Sequence, residues 1–364
     1  MKKLISLLLV LAMALTLVAC GGGSDAPAAK SDSKTKISVF WYDESDVYLS
    51  SVRTALNKEL DALGVTYDNQ YAANDQSKQI DQIKTAIAGG SNLLVINQVT
   101  SGAADTAKDI LKAAGDIPVI FFNRAIGTDG SELPVLSEHA NACFIGTDAP
   151  AAGHMQGQMI GEYLMANYDT VDLNGDGVIS YVMFKGQEGN AEAEARTQFG
   201  VEDANAVLTA AGKPELAYYN ASATDKYLVD QGGKWSAQAA NDYMATILPE
   251  YSEANGNMVE LIICNNDGMA EGAVSALQGA GYNTGDGKTI PVFGVDATDS
   301  AKQLINEGKM TGTIKQDAEG MASTILNLVS SVQGGGELMD NTSSFNVDEG
   351  VAKIRVPYAT YTGE

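Results

Sequence analysis

Cysteine is scarce in this chain: Cys20, Cys143 and Cys264 are the only three in 364 residues, and no C-x-x-C pair occurs. That count excludes a disulfide framework for a chain of this length. Cys143 and Cys264 each sit inside an apolar, strand-like run and read as small buried hydrophobes. Positive charge is also in deficit, with 23 Lys and Arg against 46 Asp and Glu and a formal net charge of −23. Such a surface repels nucleic acid and anionic lipid headgroups. An apolar run long enough to remain in a bilayer is missing too, because Leu4 to Ala19 falls short of the roughly 20 residues that a spanning helix needs. His139 and His154 enter no motif, and the alternation of Trp41 and Tyr42 along one run marks them as packing residues.

What is present begins with that short run. Lys2-Lys3 precede it and Leu17-Val18-Ala19-Cys20 end it, which is the form of a secretory signal with a lipobox-like cleavage site over 1–20. Similarity to bacterial lipoproteins makes Cys20 the lipid-modified first residue of an exported protein. The lipid then anchors it to the outer face of the cell membrane, or it resides in the periplasm. Residues 21–35 are rich in Gly, Ala, Ser and Asp and bury too little to fold, so they form a tether with a reach on the order of 20 Å. The remainder is longer than one core usually organises, and two domains are expected.

Asp172-Leu-Asn174-Gly-Asp176-Gly177-Val178-Ile-Ser180 has the spacing of a calcium loop. Oxygen donors fall at positions 1, 3, 5 and 9, the Val178 carbonyl at 7, and a glycine at 6 for the turn. Position 12, where an EF-hand has a bidentate glutamate, is Met183, and the following segment reads as a buried strand. The closing carboxylate must come from a distant segment, and the calcium would be structural.

Strand-like runs are expected at 37–42, 65–71, 93–98, 117–122, 142–145, 178–184, 215–219, 259–264, 290–295 and 311–314, with amphipathic stretches such as 76–88, 103–114, 191–211, 236–247 and 268–280 between them. This alternation predicts an α/β chain with two doubly wound parallel-sheet lobes, in which ligands sit beyond the carboxyl ends of the strands. Polar residues recur at those ends: Asp43, Glu44, Asp46 and Tyr48 after the first, Asn97-Gln98 after the third, Asn123-Arg124 after the fourth. In the second half Asn190, Glu192 and Arg196 follow one strand, Asn265-Asn266-Asp267 another and Asp296 a third. A cleft between two such edges suits a neutral ligand bound by hydrogen bonds. Asp267 and Asp317, which open helices directly, are read as helix caps.

The motifs Asn74-Asp-Gln-Ser-Lys-Gln79, Val119-Ile-Phe-Phe-Asn123, Gly146-Thr-Asp148, Ala193-Glu-Ala-Arg196-Thr197, Asn265-Asn-Asp267 and Pro291-Val-Phe-Gly-Val-Asp296, together with the calcium loop, resemble the periplasmic glucose/galactose-binding proteins of ABC transporters from about Lys36 to Tyr361. The resemblance implies a type I periplasmic-binding-protein fold whose chain crosses between lobes three times, at 146–148, 315–317 and 348–352. The N-terminal lobe is then 36–146 with 316–348, and the C-terminal lobe 147–315 with 349–364. It further implies that Asp46 accepts from sugar hydroxyls, that Asn123, Arg196, Asn266 and Asp296 flank the ring, and that Tyr48 and Trp235 sandwich it. Aromatic plates suit the C–H faces of a pyranose, while carboxylates, amides and Arg suit its hydroxyl rim. Asn190, Glu192 and Gln316 stand where the family has His, Asp and Asn. The last two are each one methylene longer and re-aim the rim contacts. Glu260 occupies the place of the distant glutamate that completes the family's calcium sphere, and Ser180 replaces a longer amide donor.

The implied role is a monomeric carrier that closes around a monosaccharide and docks on an ABC permease. A chemoreceptor or a sensor kinase reading the same closed form is the alternative. A glycosidase using Asp46 and Asp296 is the competing class, but a rim of amides and Arg favours both carboxylates staying ionised acceptors and leaves no obvious general acid. The export signal and the missing DNA-binding head exclude a transcriptional repressor.

Overall fold

The computed structural model describes residues 35–128, 130–285 and 287–363; the expected leader, Cys20 and all of the tether but Thr35 lie outside them. The first lobe runs β1 (Lys36–Trp41), α1 (Val47–Leu63), β2 (Thr66–Tyr71), α2 (Gln76–Ala88), β3 (Leu93–Ile96), α3 (Ala104–Ala114), β4 (Val119–Phe122), α4 (Glu132–Ser137) and β5 (Ala142–Gly146). The second continues with α5 (Ala149–Val171), β6 (Ser180–Lys185), α6 (Ala191–Ala210), β7 (Ala217–Tyr218), β8 (Leu228–Val229), α7 (Ala237–Glu250), β9 (Leu261–Cys264), α8 (Asp267–Gly279), β10 (Val292–Asp296), α9 (Asp299–Asn306) and β11 (Gly312–Gln316). The chain then returns to the first lobe for α10 (Ala318–Gln333), β12 (Asn346–Val347) and β13 (Lys353–Arg355), and ends in the second with β14 (Tyr358–Tyr361).

Each sheet is parallel except at one edge. The first is ordered β12-β13-β5-β4-β3-β1-β2 and the second β14-β11-β10-β9-β6-β7, with β8 also pairing β6; the β12–β13 and β11–β14 pairs are antiparallel. Strands β3, β4 and β9 are unbroken apolar runs with every residue buried, as strands covered on both faces require. Polar β2, Thr-Tyr-Asp-Asn-Gln-Tyr, sits at the sheet edge and is only half-buried. Two apolar clusters line the two faces of each sheet. Cys143 and Cys264 are free thiols within these cores.

One close approach depends on missing side chains. Gly153, Gly157 and Gly161 lie one turn apart on α5, and a Cβ at any of them would run into α6 at Ala195, Phe199 or Val207. The three glycines let the two helices meet backbone to backbone, which fixes the base from which α6 presents its first turn.

Three connections join the lobes: 147–148 between β5 and α5, Asp317 between β11 and α10, and Val356-Pro357 between β13 and β14. The third corrects the expectation of a crossing at 348–352 and a C-terminal lobe from 349. Lys353–Arg355 still pair in parallel with Phe144–Gly146, and Asn346–Val347 pair with Ile354–Arg355. The first lobe therefore keeps the chain through Arg355. Short β12 and β13 carry little apolar periodicity, so sheet pairing and not sequence pattern reveals them.

Candidate functional site

Helix starts converge on the space between the lobes. Asp46 caps α1 by accepting from the Leu49 amide at 2.8 Å, Asn190 caps α6 by accepting from Glu192 and Ala193, and Asn266 caps α8 by accepting from Met269 at 2.9 Å. Strand ends deliver the rest: Asn123 and Arg124 after β4, Asp296 closing β10 and Gln316 closing β11. Asp46, Tyr48, Asn123, Asn190, Glu192, Arg196, Trp235, Asn266, Asp296 and Gln316, together with Arg124, line one cavity of about 40 Å³. All ten residues selected from the sequence for the sugar site border it. Capping and lining are compatible here because a cap uses one carboxylate or amide oxygen and leaves the rest of the group to the cleft.

Backbone strain occurs at this wall and just behind it. Asn123, Trp235, Asp296 and Ala297 all hold positive φ, at 62°, 58°, 130° and 55°. Such conformations cost of order 1–3 kcal/mol each and persist where the surroundings over-determine them. Around Trp235 the surroundings are visible: a Cβ on Gly186 would collide with the indole ring, and the Trp235 carbonyl accepts from Asn266 Nδ2 at 3.2 Å. The ring therefore lies flush on the Gly186 backbone, with the Arg196 guanidinium 5.8 Å from its centroid.

Electrostatics follow from burial. Asp46 is raised above the usual carboxylate range by desolvation, against the lowering effect of the Leu49 amide, the Tyr42 hydroxyl and Arg124. Asp296 is raised further, by burial and then by the neighbouring charge of Asp267, with Arg196 opposing. Asp267 itself is pushed up to about 6 by burial. It does not cap α8, contrary to expectation: Asn266 does, and Asp267 instead accepts from the Thr298 amide at 2.8 Å and the Thr313 hydroxyl at 2.6 Å. These bonds hold the strained end of β10 in place. Asp317 sits at the cap position of α10 but makes no side-chain cap bond.

Glu192 departs most from the implied role. Its Oε1 accepts from Thr147 Oγ1 at 2.6 Å, and its Oε2 from Arg196 Nη2 at 3.0 Å, with the Tyr358 hydroxyl 2.8 Å away. The carboxylate is thus committed to the hinge, and the guanidinium it aligns also reaches Gln316 Oε1 at 3.1 Å and Tyr358 at 3.0 Å. The Arg196 Nε, the Gln316 Nε2 and the Tyr48 hydroxyl are buried without a well-aligned partner, so the polar capacity on this side of the cavity lies with them.

From the sequence Arg124 is expected at the cleft edge but not among the sugar contacts, and Thr147 and Tyr358 are not expected at the site. Arg124 directly follows Asn123 at a strand end, which was the available signal. Tyr358 opens a short antiparallel edge strand with no apolar periodicity. Tyr42 and Trp41 are fully buried as expected, but the Tyr42 hydroxyl also donates to Asp46 at 2.8 Å and its ring lies 4.0 Å under the Arg124 guanidinium.

The calcium-type loop lies between α5 and β6, away from the cavity residues in sequence. Asp172 accepts from the Gly175 and Gly177 amides, Asn174 from the Asp176 amide and Asp176 from the Val178 amide. The fully buried Glu260 accepts from Leu173, Asn174 and Ser180, tying the loop to the start of β9. Ser180 donates its hydroxyl proton to the Met258 carbonyl and keeps the lone pairs of that oxygen. Among the described residues no three acidic, His or Cys side chains already surround one point. The donor set nevertheless fits a hard cation: it is all oxygen, it holds three carboxylates, and no ion pair among the described residues engages Asp172, Asp176 or Glu260. Burial, with Asp172 adding, raises Glu260 above its ordinary value, the condition a nearby cation would relieve.

The periplasmic binding protein domain model matches residues 37–337. The D-galactose/methyl-galactoside binding periplasmic protein MglB of Haemophilus influenzae is 32% identical over 341 residues, covering 92% of this chain and 91% of that protein. The ribose import binding protein RbsB of Escherichia coli is 25% identical, covering 87% of each. A solute binding protein from Clostridium phytofermentans, solved with bound β-D-glucose, shares the fold at a TM-score of 0.66 and 24% identity, covering 90% of this chain and 94% of that one. With the family model spanning most of the chain and the lobes, crossings and cleft in place, this protein belongs to the periplasmic binding protein family.

Proposed function

We propose that the protein binds a neutral monosaccharide, glucose or galactose, between its lobes and delivers it to an ABC permease outside the cytoplasm. The observation that carries this reading is the meeting of two aromatic side chains, three carboxylates, amides and two guanidinium groups in one interlobe cavity. A pyranose matches that set, with C–H faces for the rings and hydroxyls for the polar rim. The relatives are sugar-binding transport proteins and not enzymes, which supports carriage over hydrolysis. Ligand contacts from both lobes exist together only when the cleft is closed, so binding drives closure. Calorimetric titration with glucose, galactose, ribose and xylose tests the assignment. Heat with a hexose is expected, and a flat trace with all four sugars would sink it.

Structural calcium is part of the same reading. Asp172, Asn174, Asp176, the Val178 carbonyl and Glu260 would hold the ion, pinning the α5–β6 connection to β9. Lipid attachment at Cys20 rests on the Leu17-Val-Ala-Cys20 motif. The mass of membrane-extracted protein should be that of a chain cleaved before Cys20 and carrying acyl groups; an intact leader with no lipid would refute it.

A further inference from the structure

Outside the three crossings, two well-aligned side-chain hydrogen bonds among the described residues run directly from lobe to lobe. Arg124 Nη2 donates to Gln187 Oε1 at 2.7 Å, and Asn74 Nδ2 donates to the Gly232 carbonyl at 3.3 Å. The first is the stronger, being short and charge-assisted. Arg124 is set in advance for it: Nε donates to the Gln98 carbonyl at 2.9 Å, Nη2 to the Val99 carbonyl at 2.9 Å, and the guanidinium plane lies over Tyr42. Two backbone anchors and a ring hold the guanidinium to the first lobe, so it cannot follow Gln187 if the second lobe swings away. Gln187 stands in the β6–α6 connection, outside the cavity lining. Its Oε1 also lies 3.5 Å from Nδ2 of the capping residue Asn190.

We infer that Arg124 and Gln187 form a clasp that holds the cleft shut whatever sugar is inside, and so set the rate of ligand release. This inference rests on the sugar reading of the cavity. Opening the lobes must break the clasp, whereas entry of a ligand into the open form does not involve it. Gln187 does not border the cavity, so it acts on the closed state without touching the ligand and changes dissociation by one common factor for every ligand. A residue that touches the ligand changes different sugars by different factors.

The test is stopped-flow binding of galactose and of glucose to the full chain, read by tryptophan fluorescence, with Gln187→Ala and Gln187→Glu. Gln187→Ala should speed release of both sugars by the same factor, roughly tenfold, with association rates and melting temperature unchanged. Gln187→Glu places a carboxylate against the guanidinium and should slow release of both. Wild-type release rates in both variants would overturn the clasp, as would a change confined to one sugar, which would make the pair a ligand contact. If the wild-type chain binds no sugar at all, the sugar reading itself falls and takes the clasp's role in release with it.

Discussion

Asp296 concentrates the chemistry of the cleft in one side chain. It is buried, held at a positive φ, and raised well above the usual carboxylate range by desolvation and by Asp267 behind it. A sugar hydroxyl donates only to the ionised form with full strength, so bound sugar lowers the carboxylate's pKa and binding releases protons. The sign is then fixed: association strengthens as pH rises through the raised free-state value and levels off above it, and it weakens as pH falls. Asp46, also raised, adds in the same direction. Titrations between pH 5 and 8 should show affinity declining toward the acid end. Asp296→Asn should flatten that slope and weaken binding roughly 10- to 100-fold, the scale of one hydrogen bond to a charged group. An unchanged slope in the variant would remove Asp296 from the ligand's reach. At this scale the sequence was most legible, because Asp46, Asn123, Asn266 and Asp296 recur at one topological place, the carboxyl ends of strands. The place of Arg124 at such an end was legible but its role was not, and Tyr358 was missed altogether, since both roles depend on which carbonyls and rings fold beside them.

At the scale of elements, long periodic segments were readable and short ones were not. Helix α2 spans Gln76–Ala88, the range its pattern predicts, because Asp75 caps it and its apolar face repeats. Two-residue β12 and the edge strand β14 exist only through pairing. The calcium-type loop shows the same division. Its oxygen spacing is local and visible, whereas its closure by Glu260 lies 80 residues from Ser180 and came into view through family resemblance. In the fold Glu260 already joins both ends of the loop by accepting from Leu173, Asn174 and Ser180. An ion held there stabilises the native state by mass action, about 4.1 kcal/mol at a thousand times the dissociation constant. Thermal melts of chelator-stripped protein should therefore rise by several degrees when calcium is restored, and Glu260→Gln should abolish the rise. A melting temperature indifferent to calcium would leave the loop a plain hydrogen-bonded turn.

Across the whole molecule, the three crossings are wired to the site. Thr147 on the first crossing bonds Glu192, its carbonyl accepts from Arg355 Nη1 at 2.5 Å, and its hydroxyl lies 2.9 Å from that of Tyr358 beyond the third. Gln316, just before the second crossing, accepts from Arg196, which also donates to Tyr358. Tyr358 is buried, its ionisation held far above the ordinary range by desolvation and Glu192, so its hydroxyl stays protonated and serves as a joint between segments. It has one proton to give, and Glu192 and Thr147 both stand within reach of it. Tyr358→Phe removes that joint and leaves Glu192 and Arg196 each short of one partner. The variant should lose about 1–3 kcal/mol of stability in the sugar-free state, the cost of unpaired buried polar groups. Sugar-induced compaction by small-angle scattering should persist, because the connections themselves remain. That pattern is the opposite of the one expected of Gln187→Ala, where stability holds and release quickens. If Tyr358→Phe melts like the wild type, the hydroxyl joins nothing of consequence, and the hinge owes its geometry to backbone pairing alone.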